Sequence, residues 1–257
     1  MSEPELLYEV KEHAAWLTLN REYRRNAISL EIIEMFEQYL DRAEDDDEVR
    51  VLCVTGAGDK AFCAGADLLA TLGGGDATAG ARSYAALLKH LVAFPKPIVC
   101  RLNGHCLAGG MGLMLAADIV YARPGIKIGT PEVNVGLFPM MIGALIFRNS
   151  LRKKALEMVY TARMYTPEQA EAMGLITRVF AADEFDAQVD RTLRDISAKG
   201  PAGIRLGRQA FAAVADLDLD QALDVLCEKL GEVLQTEDAT EGLSAFMEKR
   251  EPKWKGR

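Results

Sequence analysis

Residues 96–132, KPIVCRLNGHCLAGGMGLMLAADIVYARPGIKIGTPE, decide the fold. Residues 98–102 form a short, mostly apolar run that predicts a buried strand, and residues 119–122 predict a second one. Between them, AGGMG at residues 108–112 predicts a tight turn, because glycine has no side chain to collide with neighbouring backbone. The apolar run at 113–117 predicts a short helix. The stretch therefore predicts strand, glycine-rich turn, helix, strand and loop.

The glycine-rich turn is also a candidate site for a negatively charged oxygen. A turn that leads into a helix presents backbone N–H groups without partners at the positive end of the helix dipole. Glycines in a turn serve backbone geometry more often than chemistry, so an anion site here is a hypothesis. The chain has neither GxGxxG after a strand nor GxxxxGK[ST], which excludes the dinucleotide fingerprint and the P-loop.

Composition narrows the class of protein. The chain has 257 residues, 49% hydrophobic and 26% charged, which predicts one large domain or one domain with a helical appendage. The net charge of −8 argues against a nucleic-acid partner. No apolar run approaches the roughly 20 residues that a membrane span needs. An acidic N-terminus without a signal-like core, and five scattered cysteines, predict a cytoplasmic protein with buried thiols and no disulfides.

The histidines and cysteines do not predict a metal or nucleophile site. His13, His90 and His105 show no ligand spacing with the cysteines, and the chain lacks HExxH and paired CxxC motifs. Adjacent residues such as His105 and Cys106 point in different directions in an extended segment, which argues against a nucleophilic pair. We therefore predict no metal.

The remaining segments predict an α/β fold followed by helices. Two strands within residues 6–20, a helix at 30–44 capped by Ser29 and a strand at 51–55 predict a βαβ unit. Small residues around Gly65 predict a second close backbone approach, and residues 71–80 form either a surface excursion or a mobile wall of a site. Further elements are predicted at 81–94 (helix), 140–149 (helix), 151–160 (helix capped by Ser150), 167–173 (helix capped by Thr166 and ended by Gly174) and 175–180 (strand).

The last third of the chain predicts helices alone. Their expected ranges are 183–198, 202–215, 219–235 and 237–249. We divide the chain into an α/β core, residues 1–195, and a helical subdomain, residues 196–257, packed on the core or on a neighbouring subunit.

Several motifs in order give the chain a family resemblance. They are LNREYRRNAIS, VTGAGDKAFCAGADL, KPIVCRLNGHCLAGGMGL, AADIVYA, IGTPEVNVGLFP, TPEQAEAMGLITRVF and FMEKREPKW. Over nearly its whole length the chain resembles the crotonase, or enoyl-CoA hydratase/isomerase, superfamily. The resemblance implies a crotonase-like spiral of ββα units with a C-terminal helical trimerisation subdomain, and a homotrimer or dimer of trimers. It implies an acyl-CoA substrate and no separate cofactor, since coenzyme A is part of that substrate.

The resemblance also assigns roles to residues. The thioester carbonyl would lie between the backbone N–H groups of Ala66 and Gly109, which would stabilise an enolate by several kcal/mol. Lys60, and more weakly Arg24, match positions near the CoA phosphates, although either is equally an ordinary exposed cation. The other positions expected near the substrate are Ala64, Asp67, Leu68, Gly110, Gly112, Pro131, Phe138 and Met141.

The carboxylates depart from the pattern of family hydratases. Those enzymes use two glutamates; the second matches Glu132, but the first would fall at Gly112. Family isomerases, which move a double bond from the 3,4 to the 2,3 position, use one glutamate at the position of Glu132. A second acid could still come from Asp67, from a spatial neighbour of Glu132 or from residues 71–80. Asp118 is interpreted as a buried aspartate that accepts hydrogen bonds from turn amides.

The sequence thus predicts an enzyme that acts on an enoyl-CoA through an enolate, with Glu132 as acid and base. The single glutamate favours isomerisation, and hydration is the second possibility. Phe138 to Met141 replace the glycine-rich sequence of straight-chain hydratases, which predicts a reshaped acyl pocket. Because this fold supports several reactions, a catalytically silent CoA-binding protein and a thioester hydrolase or decarboxylase are also compatible with the motifs.

Overall fold

The computed structural model describes residues 3–67 and 77–257. The strands of these residues form two sheets. They are β1 (Leu6–Lys11), β2 (Ala14–Leu19), β3 (Val51–Gly56), β4 (Ala61–Cys63), β5 (Ile98–Leu102), β6 (His105–Leu107), β7 (Ile119–Ala122), β8 (Ile128–Gly129) and β9 (Arg178–Val179). The larger sheet has the order β1-β2-β3-β5-β7-β9, and the smaller has the order β4-β6-β8.

Helices surround the sheets and make up the C-terminal part. They are α1 (Leu30–Asp45), α2 (Ala77–Ala93), α3 (Gly109–Leu115), α4 (Met140–Asn149), α5 (Arg152–Thr161), α6 (Pro167–Ala172), α7 (Phe185–Ser197), α8 (Pro201–Val214), α9 (Leu219–Leu234) and α10 (Glu237–Glu248). Short 3-10 helices lie at Glu22–Arg24 and Glu132–Val135.

The larger sheet confirms the strands predicted from apolar runs. β1 and β2 form an antiparallel hairpin, and the following neighbours are parallel. The predicted βαβ unit is β2-α1-β3, whose helix is capped by Ser29, since its side chain accepts a hydrogen bond from the Ile32 N–H. The apolar side of α1, including Phe36 and Leu40, is fully buried in the main core.

The smaller sheet was not predicted. Its strands have two or three residues each, too few to show an alternating pattern. β4 pairs with β6 and β6 with β8, all parallel. This sheet carries the segments that the sequence singled out, as described below.

Three local predictions were wrong in detail. The predicted glycine turn is already helical, because α3 begins at Gly109 and the sharp turn is at Ala108, with φ 48° and ψ −128°. Ser150 ends α4 rather than capping α5, which begins after Leu151 without a side-chain cap. The strand predicted at 175–180 is limited to the two residues of β9, which pair with β7.

The C-terminal helices are tied to the α/β layers. The predicted boundary at residue 195 falls inside α7, whose Phe185, Val189 and Leu193 pack on the larger sheet. Arg208 of α8 donates to both carboxylate oxygens of Asp118, at 3.1 and 2.9 Å. Asp118 also accepts from the Ile98 N–H at 2.7 Å, so its role is structural, but the residue is exposed rather than buried.

Two observations bear on the class of protein. None of the helices in residues 3–67 and 77–257 is long and apolar enough to cross a membrane. All five cysteines are free; four are buried, but Cys227 is exposed, contrary to the expectation of buried thiols alone.

Candidate active site

The smaller sheet brings three distant segments to one edge. Its parallel strands end at Cys63, Leu107 and Gly129, and parallel strands place their carboxyl ends on the same side. Ala66 follows β4, Gly109 follows β6, and Glu132 follows β8, each within a few residues of the strand end. The three predicted catalytic positions therefore converge, although they are far apart in the sequence.

The backbone around Ala66 is held by Ile28. The Ile28 N–H donates to the Gly65 carbonyl at 2.8 Å, and the Asp67 N–H donates to the Ile28 carbonyl at 2.9 Å. Because successive N–H groups of an extended chain point to opposite sides, the Ala66 N–H points away from Ile28. Within the described part of the chain, this N–H has no hydrogen-bond acceptor.

Gly109 faces Ala66 at very short range. A Cβ atom built on Gly109 would lie 3.4 Å from the Ala66 nitrogen, and one built on Gly65 would lie 3.1 Å from the Gly109 nitrogen. Gly65 also has φ 101°, which favours glycine. Among the described residues, no acceptor takes a hydrogen bond from the Gly109 N–H either. Two amides without acceptors in the described part of the chain thus lie close together.

Ala108 fixes the direction of the second amide. Its φ of 48° is unusual for a residue with a side chain, and two hydrogen bonds hold it. The Ala108 N–H donates to the Gly129 carbonyl at 3.0 Å, and the Ala108 carbonyl accepts from the Met111 N–H at 2.9 Å. The strained residue is therefore locked between β8 and α3, and it sets the orientation of the peptide that carries the Gly109 N–H.

Glu132 is the partly buried carboxylate of this site. It begins the 3-10 helix after Pro131, and its carbonyl accepts from the Leu137 N–H at 3.0 Å. Its Oε2 atom is buried and has no hydrogen-bond partner among the described residues. Burial raises the pKa of Glu132 above its ordinary value of 4.5, and a hydrogen bond from its own backbone partly opposes this shift. A desolvated carboxylate is a stronger base than an exposed one.

Gly112 leaves no space for a side chain. A Cβ atom there would collide with the Tyr84 hydroxyl and lie 2.8 Å from Ile142 Cγ2 and 3.1 Å from Leu88 Cδ2. Tyr84, on α2, is 8% exposed, and its hydroxyl donates a short hydrogen bond to the Gly109 carbonyl. The position where the resemblance expects a second glutamate in hydratases is thus filled by a phenol from another helix.

Asp67 forms an ion pair with Arg21. Its carboxylate accepts from Arg21 Nη1 at 2.7 Å, and the two side chains are only 11% and 12% exposed. Arg21 also contacts Glu5 at 2.9 Å, so the guanidinium lies between two carboxylates. This pairing disfavours Asp67 as the second acid. Leu68, and residues 71–76 of the predicted loop, lie outside the described residues.

The remaining predicted substrate contacts fall into three groups by burial. Gly110 is buried against Cys63, whose carbonyl would lie 2.6 Å from a Cβ atom, so the absence of a side chain allows α3 to pack on β4. Lys60 and Arg24 are exposed, and Phe138 is 45% exposed beside Tyr160. The half-buried members of the set are Ala64, Pro131 and Met141.

Tyr84 and Arg21 are the site residues that sequence reasoning missed. Tyr84 lies within the helix predicted at residues 81–94, whose periodicity gave no sign of a role at the site, and no role was predicted for Arg21 itself. The absence of a side chain at Gly112 was the one signal that some other group fills its place. The described residues contain no group of three or more His, Cys, Asp or Glu side chains that could hold a metal ion.

The spiral of small parallel strands and helices, with two facing backbone amides at one edge, is the crotonase fold. A crystal structure of an enoyl-CoA hydratase from Bacillus anthracis superimposes with a TM-score of 0.94 at 29% identity, covering 99% of this chain and 100% of that one. The sequence profile of the enoyl-CoA hydratase/isomerase family matches residues 9–257. The chain therefore belongs to the enoyl-CoA hydratase/isomerase family, a family of enzymes.

Individual relatives agree with this membership. YngF of Bacillus subtilis, whose name places it in the enoyl-CoA hydratase/isomerase class, is 33% identical over 98% of each chain. A crotonyl-CoA hydratase of Syntrophomonas wolfei is 30% identical over 97% of each chain. These identities define the family but do not distinguish its branches.

Proposed function

We propose that this enzyme moves a carbon–carbon double bond of an enoyl-CoA from the 3,4 to the 2,3 position, with Glu132 as the acid and base. One observation carries the proposal. Glu132 presents a buried Oε2 atom with no partner among the described residues, whereas the place of a side chain at Gly112 is taken by Tyr84. Moving a proton from one carbon of the substrate to another needs one carboxylate, whereas hydration in this family uses two.

The substrate is held by its thioester oxygen. The Ala66 and Gly109 N–H groups, close together and without other acceptors in the described part of the chain, donate to this oxygen. Loss of a proton from C2 moves negative charge onto it, and preorganised donors bind the charged form more strongly than the ground state. A single donor of this kind is worth about 3–4 kcal/mol of barrier.

The reaction consists of two proton transfers. The Glu132 carboxylate takes the proton from C2 of the 3-enoyl thioester, and the C2–H electron pair enters the enolate. The double bond then forms between C2 and C3, the former 3,4 electrons take a proton at C4 from the Glu132 carboxyl, and the carboxylate is restored. Burial, which raises the pKa of Glu132, strengthens it as a base.

The coenzyme A portion is held by exposed cations. Lys60 and Arg24 are exposed, and they attract the phosphates of the substrate within a protein whose net charge is −8. We further propose a cytoplasmic trimer or dimer of trimers. Large apolar side chains exposed on the C-terminal helices, such as Phe211, Leu219 and Phe246, support a subunit interface there.

Hydration of a 2-enoyl-CoA is the second candidate, favoured by the names of relatives such as the crotonyl-CoA hydratase. It requires a group that orients and activates water beside Glu132. Tyr84 carries its proton at neutral pH, and burial raises its pKa further above the ordinary value, with Glu132 contributing in the same direction. Asp67 is paired with Arg21. Neither is suited to replace the second carboxylate.

The test compares wild type, Glu132→Gln and Glu34→Gln on 2-enoyl- and 3-enoyl-CoA thioesters in heavy-oxygen water. Glu34 is an exposed carboxylate of α1 and serves as the matched control. We expect kcat to fall by about 10²- to 10⁴-fold in Glu132→Gln alone. Isomerisation leaves the product without heavy oxygen, whereas its incorporation identifies hydration. Unchanged turnover in Glu132→Gln would contradict the assignment, and tight acyl-CoA binding without any turnover would identify a silent member.

A further inference from the structure

Tyr84 contacts the proposed site at two points. Its hydroxyl donates a short hydrogen bond to the Gly109 carbonyl, and it fills the space beside Gly112. These two glycines belong to the same short helix, α3, about one turn apart. A tyrosine from α2 therefore braces the first turn of α3 from the side that would otherwise carry a side chain at residue 112.

The first turn of α3 has no side-chain cap. Its N-cap, Ala108, has no side chain that could cap the helix, and φ there is 48°. Gly109 and Gly110 restrict their own backbone less than any other residue type would. A hydrogen bond from a buried hydroxyl to the Gly109 carbonyl limits rotation of this glycine, and hence of its N–H.

The hydroxyl is committed to this bond. Tyr84 is 8% exposed, and its proton points at the Gly109 carbonyl, so it has no proton to offer a substrate without breaking that bond. Burial is the main cause that raises the pKa of Tyr84, and the charge of Glu132 acts in the same direction. A neutral donor next to the carboxylate adds no second charge to the site.

We propose that Tyr84 is a positioning residue that holds the Gly109 N–H in place for the thioester oxygen. The inference rests on one part of the proposed function, namely that the Gly109 N–H donates a hydrogen bond to the substrate. It adds a residue that acts through Gly109 rather than on the substrate itself, and it explains why residue 112 is a glycine.

The test is Tyr84→Phe, with Tyr165→Phe as the matched control. Both tyrosines are buried, but the Tyr165 hydroxyl has no partner among the described residues, so its removal breaks no bond there. We expect Tyr84→Phe to lower kcat by about tenfold to a hundredfold, as small misplacements of catalytic groups do. The KM value and the pH of half-maximal kcat should stay within about twofold and a few tenths of a unit, because Tyr84 neither binds ground-state substrate nor titrates.

A spectroscopic measurement separates positioning from a merely structural role. A 3-ketoacyl-CoA forms an enolate that absorbs in the near ultraviolet, so its enolised fraction when bound reports on the two amide donors without turnover. We expect a smaller enolised fraction in Tyr84→Phe than in Tyr165→Phe, at equal affinity for a saturated acyl-CoA. Equal enolised fractions and equal kcat in the two variants would overturn the inference.

The inference and the proposed function can fail separately. If wild type enolises the 3-ketoacyl-CoA but converts no enoyl-CoA, the proposed reaction is wrong, while a loss of enolisation in Tyr84→Phe still supports the positioning role. If wild type does not enolise the ligand at all, both fail. If Tyr84→Phe does not fold, Gly112→Ala provides a second test, because its methyl group displaces the Tyr84 hydroxyl from Gly109. We expect Gly112→Ala to give the same loss of enolisation. An unchanged enolised fraction in this variant overturns the inference.

Discussion

Arg21 and Asp67 form a salt bridge of 2.7 Å in which both side chains are nearly buried, at 12% and 11% exposure. The two residues lie 46 positions apart, and the pair anchors the chain immediately after Ala66. It therefore connects the loop before α1 to one of the two proposed donors, and it holds this aspartate away from proton transfer.

The first prediction concerns this pair. Arg21→Ala leaves the Asp67 and Glu5 carboxylates beside an unfilled space, and breaking a buried pair costs about 3–5 kcal/mol. We expect the free energy of unfolding to fall by about 3 kcal/mol, measured by urea denaturation. Arg191→Ala removes an exposed ion pair to Asp195 and should change stability by less than about 1 kcal/mol. Equal effects of the two variants would contradict the importance of the buried pair.

The second prediction concerns the helical glycines. Gly112→Ala places a methyl group against Tyr84, Ile142 and Leu88, and overpacking of this kind costs about 1–3 kcal/mol. Gly143→Ala, in α4, has no atom within 4 Å of the new Cβ and should be neutral or stabilise by up to about 1 kcal/mol. Thermal unfolding measures both. We expect the two substitutions to change stability in opposite directions. A stabilised Gly112→Ala variant would show that Tyr84 moves freely.

The third prediction follows from the raised pKa of Glu132. Above pH 4.5 the unfolded chain has lost this proton, whereas the folded protein retains it up to its higher pKa. The folded state then binds more protons, so the contribution of Glu132 to stability falls as pH rises through that window and is constant above it. We expect Glu132→Gln to match wild type in stability near pH 4 and to exceed it at about pH 7 to 8. Urea denaturation across this range tests the sign, and a wild type that gains on the variant as pH rises would refute it.

The fourth prediction concerns the exposed cations. Lys60→Ala should raise KM for a CoA thioester about twofold to fivefold, the equivalent of roughly 0.5–1 kcal/mol for an exposed ion pair. The corresponding pantetheine thioester lacks the nucleotide phosphates, so its KM should not change. Arg24→Ala should follow the same pattern more weakly. The effect should fade at high salt, and equal losses with both thioesters would show that Lys60 does not contact the phosphates.

Local features of the chain could be predicted from the sequence because their causes are local. The Ser29 side chain accepts a hydrogen bond from an N–H only three residues further along the chain. The capping box of Thr166 and Gln169 is complete within four residues. Helices with repeated apolar spacing were predicted to within a few residues at both ends, α4 being an example. Glu132 and the two amide positions were reached through the family motifs, since no local pattern marks a loop carboxylate as catalytic.

The sequence by itself determined the fold class, the family and the helices, because apolar periodicity and caps depend on neighbouring residues and the order of the motifs can be read along the chain. Only the tertiary structure decided which groups share the site. Strands of two or three residues can be recognised only from their pairing, and this pairing brings Ala66, Gly109 and Glu132 to one edge. Tyr84 reaches Gly109 across 25 residues and Arg21 reaches Asp67 across 46, and such contacts arise only when packed helices and strands close the distance between them.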